Sequence, residues 1–157
     1  MNRLAIREIV ENDLEFLTKK SRPVTEFDQK LKTLVDDMKE TLIKSGGVGL
    51  AAVQVGVLRR LFIVDIDMDG KNIKEFINPE IIKKKGKNDN YIEGCLSFPG
   101  RGFRIVRPQV VRIRAKDVNG NTFEYEAEDF VARALMHESE HLDGIVLPSH
   151  AVEVFDE

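Results

Sequence analysis

His137-Glu138-Ser139-Glu140-His141 places two imidazoles four residues apart with a carboxylate directly after the first. On an α-helix, residues four apart share one face, so both rings can reach one metal ion. Glu138 lies about 100° round from His137, close enough to face a water on that ion without being a ligand. Two neutral imidazoles with an adjacent carboxylate base make a hydrolytic metal centre. The chain has three histidines, and this motif uses two of them.

A catalytic tetrahedral site wants one more protein ligand and one position for water. The longer pattern HExxHxxGxxH is followed through Gly144, but position 147 is Leu, which closes that route to a third histidine. His150 lies beyond Pro148 near the chain's end, and Glu153 would need the tail to fold back. Cys95, in Glu93-Gly94-Cys95-Leu96-Ser97, offers a thiolate suited to zinc or ferrous iron, with Gly94 beside it to permit an unusual backbone conformation. As the one cysteine it forms no internal disulfide, and its residue type leaves three roles open: buried apolar filler, nucleophile or ligand.

Positioning these residues requires regular elements. Thr25 to Ser45 reads as an amphipathic helix, with Phe27, Leu31, Leu34, Val35, Met38 and Leu42 at helical period. Thr25 and Asp28 resemble a capping box, and Gly46-Gly47 stops the helix. Arg60 to Ile66 is a buried strand with a partner at Ile73 to Ile77; Asn78-Pro79 breaks the latter before a short run, Glu80 to Lys84. Val110 to Lys116 alternates cleanly, Val118 to Asn121 is a hairpin turn, and Thr122 to Glu126 returns. A second helix from Asp129 to Leu142 aligns Phe130, Ala134, His137 and His141 in one stripe, and Gly144 closes it. The order predicts an α+β fold: mainly antiparallel sheet around a central helix bearing the histidines, with an N-terminal amphipathic helix.

The length of 157 residues predicts one domain, 1–157, with a sizeable core. Hydrophobic residues at 42% and charged residues at 32% suit a globular protein. A net charge of -3 makes no electrostatic case for nucleic acid or an anionic membrane. The basic run Lys83 to Lys87 reads as a strand end entering a solvated turn. No stretch approaches the ~20 apolar residues that span a bilayer, and the N-terminus interleaves charged with apolar residues, so a cytoplasmic location is expected.

Three segments together resemble the motifs of the peptide deformylase family: Gly47-Val-Gly-Leu-Ala-Ala-Val-Gln54, Glu93-Gly-Cys-Leu-Ser97 and His137-Glu-Ser-Glu-His141. Their order and separations match, and the similarity extends over most of the chain, including Ala5-Ile6-Arg7 and the first helix. The resemblance implies hydrolysis of the N-formyl group from the N-terminal formyl-methionine of new polypeptides. It implies Cys95, His137 and His141 as ligands of one divalent ion, ferrous iron in the cell, with zinc or nickel also accepted. It implies Glu138 as the proton carrier, and the Gln54 amide and Leu96 backbone N–H as donors to the developing oxyanion. Gly47 and Gly49 let backbone approach the substrate, beside Val48, Glu93 and Gly94. Val48, Tyr91, Phe130 and Ala134 are expected as walls of a methionine pocket, and Arg107 as a fixer of loop or carboxylate geometry.

The chain departs from the family pattern at four places. Met136 replaces a frequent Gln, Glu140 replaces Asp, Val106 replaces a Glu before Arg107-Pro108, and Val53 replaces a Pro. Val106 leads us to expect a missing salt bridge at Arg107, and Glu140 a displaced contact beside the ligands. These changes keep a second reading in view, a related metallohydrolase of reduced activity or altered acyl specificity. A zinc endopeptidase and a metal-stabilised structural domain are the remaining alternatives. The expected partners are formyl-methionyl peptides and nascent chains, with no direct nucleic-acid or membrane contact. Pro148 to Glu157 offers no evident helix for ribosome docking.

Overall fold

The computed structural model describes residues 5–88, 91–149 and 151–156. In chain order the helices are α1 (Leu14–Leu17), α2 (Gln29–Ser45) and α3 (Asp129–Leu142). The strands are β1 (Gly49–Ala51), β2 (Leu61–Asp65), β3 (Ile73–Lys85), β4 (Ile92–Glu93), β5 (Arg101–Arg104), β6 (Val110–Lys116), β7 (Thr122–Glu128) and β8 (Glu153–Asp156). An antiparallel five-stranded sheet runs β1-β2-β3-β6-β7, and an antiparallel three-stranded sheet runs β4-β5-β8. The fold is α+β.

β2 sits at the centre of the packing. Phe62 and Val64 belong to a core shared with Ala132, Leu135 and Leu142 of α3. Leu61 and Ile63 belong to a core shared with Leu31, Leu34, Val35, Met38 and Leu42 of α2. Side chains alternate faces along a strand, so a run of five apolar or buried positions is what a strand covered on both faces requires. The site helix is thereby fixed against a sheet that α2 backs from the other side.

Two local expectations are corrected, and the tail takes a place the chain alone did not show. α2 begins at Gln29, not Thr25: Asp28 is the N-cap, its carboxylate accepting from Leu31 N at 3.0 Å. β3 runs unbroken through Asn78-Pro79, because a β-bulge between Ile77 and Glu80 absorbs the proline's missing N–H. Asn78 takes φ 51° there, and its amide bonds both to Val24 N and to Val24 O at 2.8 Å. The tail is not loose. Leu147–Ser149 forms a 3-10 turn and β8 adds to β5, where Glu153 accepts from Arg104 Nε at 2.7 Å and so is held away from the histidines. α3 occupies the bounds its stripe predicts. His150 and Glu157 lie outside the described residues. No helix among the described residues is long and apolar enough to cross a membrane.

Candidate metal centre

α3 carries His137 and His141 one turn apart, with ring centroids 5.1 Å from each other. Both are buried. The turn after β4 brings Cys95 to them, with Sγ 3.5 Å from His141 Nε2. One ligand atom from each of Cys95, His137 and His141 falls within 4.8 Å of the others. Phe98 N donates to Cys95 O at 2.9 Å, which tightens the turn carrying the thiol.

The first motif closes the site from the sheet side. After β1 the chain enters a 3-10 turn, Ala52–Val55, which points Gln54 inward. Gln54 is buried, not a surface amide. Its Oε1 accepts from Ala51 N at 2.9 Å, and its Nε2 donates to Ser97 Oγ at 3.1 Å and approaches Cys95 Sγ at 3.5 Å. The amide thus stitches the first motif to the second. The two glycines serve close packing within the site. A Cβ on Gly49 would lie 2.6 Å from Glu138 Oε2, and one on Gly47 would lie 2.8 Å from Leu96 Cδ1.

Behind the histidines lies a buried ionic network. Arg107 grips Glu93 with two hydrogen bonds, Nε to Oε2 at 3.0 Å and Nη2 to Oε1 at 3.1 Å. Arg133 adds Nη1 to Oε2 at 2.5 Å. His137 Nδ1 lies 3.1 Å from Glu93 Oε1. An ionised carboxylate can accept but not donate, so Nδ1 carries the proton and Nε2 is left for a metal. Burial pushes the Glu93 carboxyl up, but hydrogen bonds from His137 and Arg107 outweigh it and hold the group at about 2. The expected loss of a salt bridge at Arg107 does not occur. Val106 is exposed, and Arg107 is paired with Glu93 and with Glu140, whose longer side chain reaches Nη1 at 2.5 Å.

Glu138 differs from Glu93 in receiving no hydrogen bond from an arginine; its Oε2 lies 4.0 Å from His137 Nε2. Burial raises its carboxyl to about 7, and its Oε1 has no hydrogen-bond partner. Burial also lowers His141 well below the usual imidazole range, reinforced by His137 and Arg107, which keeps it neutral. His137 moves the other way: burial opposes the shift, but Glu138, Cys95 and Glu93 raise it.

A cavity of about 360 Å³ opens over these groups. Val48, Phe130 and Ala134 line it, as do Gly47, Gly49, Gln54, Glu93, Gly94, Cys95, Leu96, His137 and Glu138. Tyr91 stands outside the lining: its ring packs edge-on to Phe130 with centroids 5.7 Å apart. Sequence reasoning missed Ile92, Arg101 and Arg133. Arg133 carried a usable signal, since it precedes His137 by four residues and is a charge on the stripe that the helix buries. Ser97 was missed as well; it is buried against the Gln54 amide.

The residues fit one divalent ion. The donor set of one thiol and two imidazoles suits first-row metals. The buried network fixes one imidazole by its far nitrogen, and a buried carboxylate oxygen without a partner stands beside the set. Such an arrangement could hold an ion beside a buried carboxyl group, with an apolar cavity large enough for a small acyl group above them.

The family model described as "Polypeptide deformylase" matches residues 6–155. The chain is 48% identical to peptide deformylase 1 of Clostridium perfringens over 147 residues, covering 94% of this chain and 99% of that protein. It is 42% identical to peptide deformylase 1 of Bacillus subtilis over 154 residues, covering 98% and 95%. Among solved structures it resembles a peptide deformylase from Legionella pneumophila with TM-score 0.89 and 40% identity, covering 93% of this chain and 86% of that one. It also resembles peptide deformylase from Thermotoga maritima with TM-score 0.88 and 34% identity, covering 94% and 99%.

Proposed function

This chain belongs to the polypeptide deformylase family, metal-dependent hydrolases that remove the N-formyl group from nascent peptides, and from that premise we propose how its own residues divide the work. Residues 1–157 act as a single catalytic domain. Cys95, His137 and His141 hold one divalent ion; ferrous iron is our assignment for the cell, and zinc or nickel suits the same donors. When bound, the ion supplies Lewis acidity toward water and the formyl oxygen.

Glu138 takes the proton of the attacking water and passes it to the leaving amine nitrogen. A carboxyl raised by burial to about 7 both accepts and releases a proton at neutral pH. Charge builds on the formyl oxygen as the water adds. Gln54 Nε2 and the Leu96 backbone N–H are the donors that meet it. One Gln54 hydrogen is committed to Ser97 Oγ, which orients the other toward the Cys95 side. Val48, Phe130 and Ala134 receive the methionine side chain, and Gly47, Gly49 and Gly94 leave room for the peptide backbone. The substrates are formyl-methionyl peptides and nascent chains met in the cytoplasm.

The observation that carries this reading is the meeting of Cys95 with His137 and His141 beside a buried carboxyl group whose Oε1 has no hydrogen-bond partner. The test is a formyl-Met dipeptide assay on protein loaded with ferrous iron under anaerobic conditions. Glu138→Gln should keep the metal and lose about 10²- to 10⁴-fold in kcat. Cys95→Ser should change the metal content. Parental turnover in Glu138→Gln, or unaltered metal binding in Cys95→Ser, would refute the assignment.

A further inference from the structure

The N-terminal segment reaches the site from outside the three motifs. Val10 N donates to Gln54 O at 2.7 Å, and Asn12 N donates to Ser97 O at 2.8 Å. Gln54 and Ser97 are both buried, so their carbonyls draw donors from the fold rather than from water. One short segment therefore ties the first motif to the second through the main chain. The side chains of the same two residues are tied as well, Gln54 Nε2 donating to Ser97 Oγ at 3.1 Å. Asn12 takes φ 56°, a left-handed conformation that asparagine adopts more readily than other residues with a Cβ. Both ends of the segment are pinned. Upstream, Ala5 N donates to Asp37 Oδ1 at 2.9 Å and Arg7 N to Thr41 Oγ1 at 2.8 Å, both on α2. Downstream, Leu17 of α1 is buried in the core that contains Leu135 and Leu142 of α3.

We propose that Val10 and Asn12 are positioning residues for the oxyanion donor: their N–H groups fix the Gln54 and Ser97 carbonyls, so that Ser97 Oγ keeps the Gln54 amide aimed at the formyl oxygen. The proposal rests on the deformylase reading above. Neither residue lines the cavity, so both act through Gln54 and Ser97. The four residues close a ring of three hydrogen bonds. Releasing one main-chain bond lets Ser97 shift relative to Gln54, and the amide follows its hydroxyl partner. A donor is effective only where charge develops, and a displacement of about an ångström costs on the order of 100-fold.

The test uses the iron-loaded holoenzyme and formyl-Met-Ala. Asn12→Pro removes the N–H and fixes φ near about -65°, so the bond to Ser97 O is lost. Its kcat should fall roughly 10- to 100-fold, with KM within about twofold of the parent. Metal content should stay at the parental level. Asn12→Gly, which keeps both the N–H and the left-handed backbone, should recover most of the lost rate. Ser97→Ala removes the side-chain link with little change in volume and should lower kcat in the same way. In a Gln54→Ala background, Asn12→Pro and Ser97→Ala should each cost less than about twofold more, because the group they position is gone. A kcat loss of full size in that background, or parental kcat in both single variants, would overturn the proposal. If Asn12→Pro folds too poorly to assay, the Ser97→Ala cycle with Gln54→Ala decides it alone. Absence of turnover by the parent itself would refute the deformylase reading, and the positioning role with it.

Discussion

Glu93 Oε1 lies 3.1 Å from His137 Nδ1, and the same carboxylate is clamped by Arg107 and Arg133. One buried anion thereby sets the tautomer and the angle of the His137 ring. Two arginines from different elements, the segment after β5 and helix α3, fix that anion in turn. The loop carrying Cys95 and the helix carrying the histidines are joined through Glu93.

Replacing Glu93 by Gln should therefore weaken metal binding and folding together. The amide orients His137 poorly, leaves the buried Arg133 without its counter-charge and leaves Arg107 with Glu140 alone. Metal affinity should fall about 10- to 100-fold. Stability of the metal-free protein should fall by about 3–5 kcal/mol. Chelator competition and urea denaturation report the two effects separately, and parental affinity in Glu93→Gln would disprove the orienting role.

The same residue predicts an acid dependence. Its carboxyl sits at about 2 in the folded chain against the ordinary 4.5, so the unfolded chain binds the proton more readily. The stabilisation is complete above about pH 4.5 and is lost as pH falls through 2, amounting to about 3 kcal/mol. Urea midpoints of the chelated protein between pH 5 and pH 2.5 should fall more steeply for the parent than for Glu93→Gln. Parallel profiles would contradict it.

Gly49→Ala should damage turnover with little effect on folding. The new Cβ would meet Glu138 Oε2 at 2.6 Å and Cγ at 2.9 Å, and a side-chain tip can swing aside. Displacing the proton carrier by about an ångström costs on the order of 100-fold in kcat. Steady-state kinetics beside a thermal melt check this; full activity would mean that Glu138 does not need its present position.

Gly144→Ala should damage folding. Gly144 has φ +75°, and a Cβ there would lie 2.2 Å from Thr18 O, a backbone atom that cannot swing away. Left-handed strain plus this clash should cost at least about 2 kcal/mol. The thermal midpoint of the metal-free protein should drop by roughly 4–8 °C. An unchanged melt would show that the turn after α3 relaxes freely.

The two long helices and the β6–β7 hairpin were legible in the chain because their signals are local. Periodicity and the residues of the turn lie within one element. Asn78-Pro79 misled because a bulge is a property of two strands, and the partner's register absorbed the break. The tail misled for a similar reason: Glu153 to Asp156 is a strand by virtue of β5 beside it. Tyr91 was placed on a pocket wall by residue type, and the fold put it behind Phe130.

The sequence by itself determined which groups are candidates for the chemistry. His137, Glu138 and His141 share a helical spacing, and the residue types at Cys95 and Gln54 complete a donor set. Tertiary structure alone decided their states. Glu93 and Glu138 carry the same functional group, yet one is held at about 2 and the other raised to about 7. Both are buried; the difference is that His137 and Arg107 hydrogen-bond to the first and not to the second. A carboxyl's proton affinity depends on the charges and donors folded around it, and those come from positions 137 and 107, outside the motif that carries Glu93.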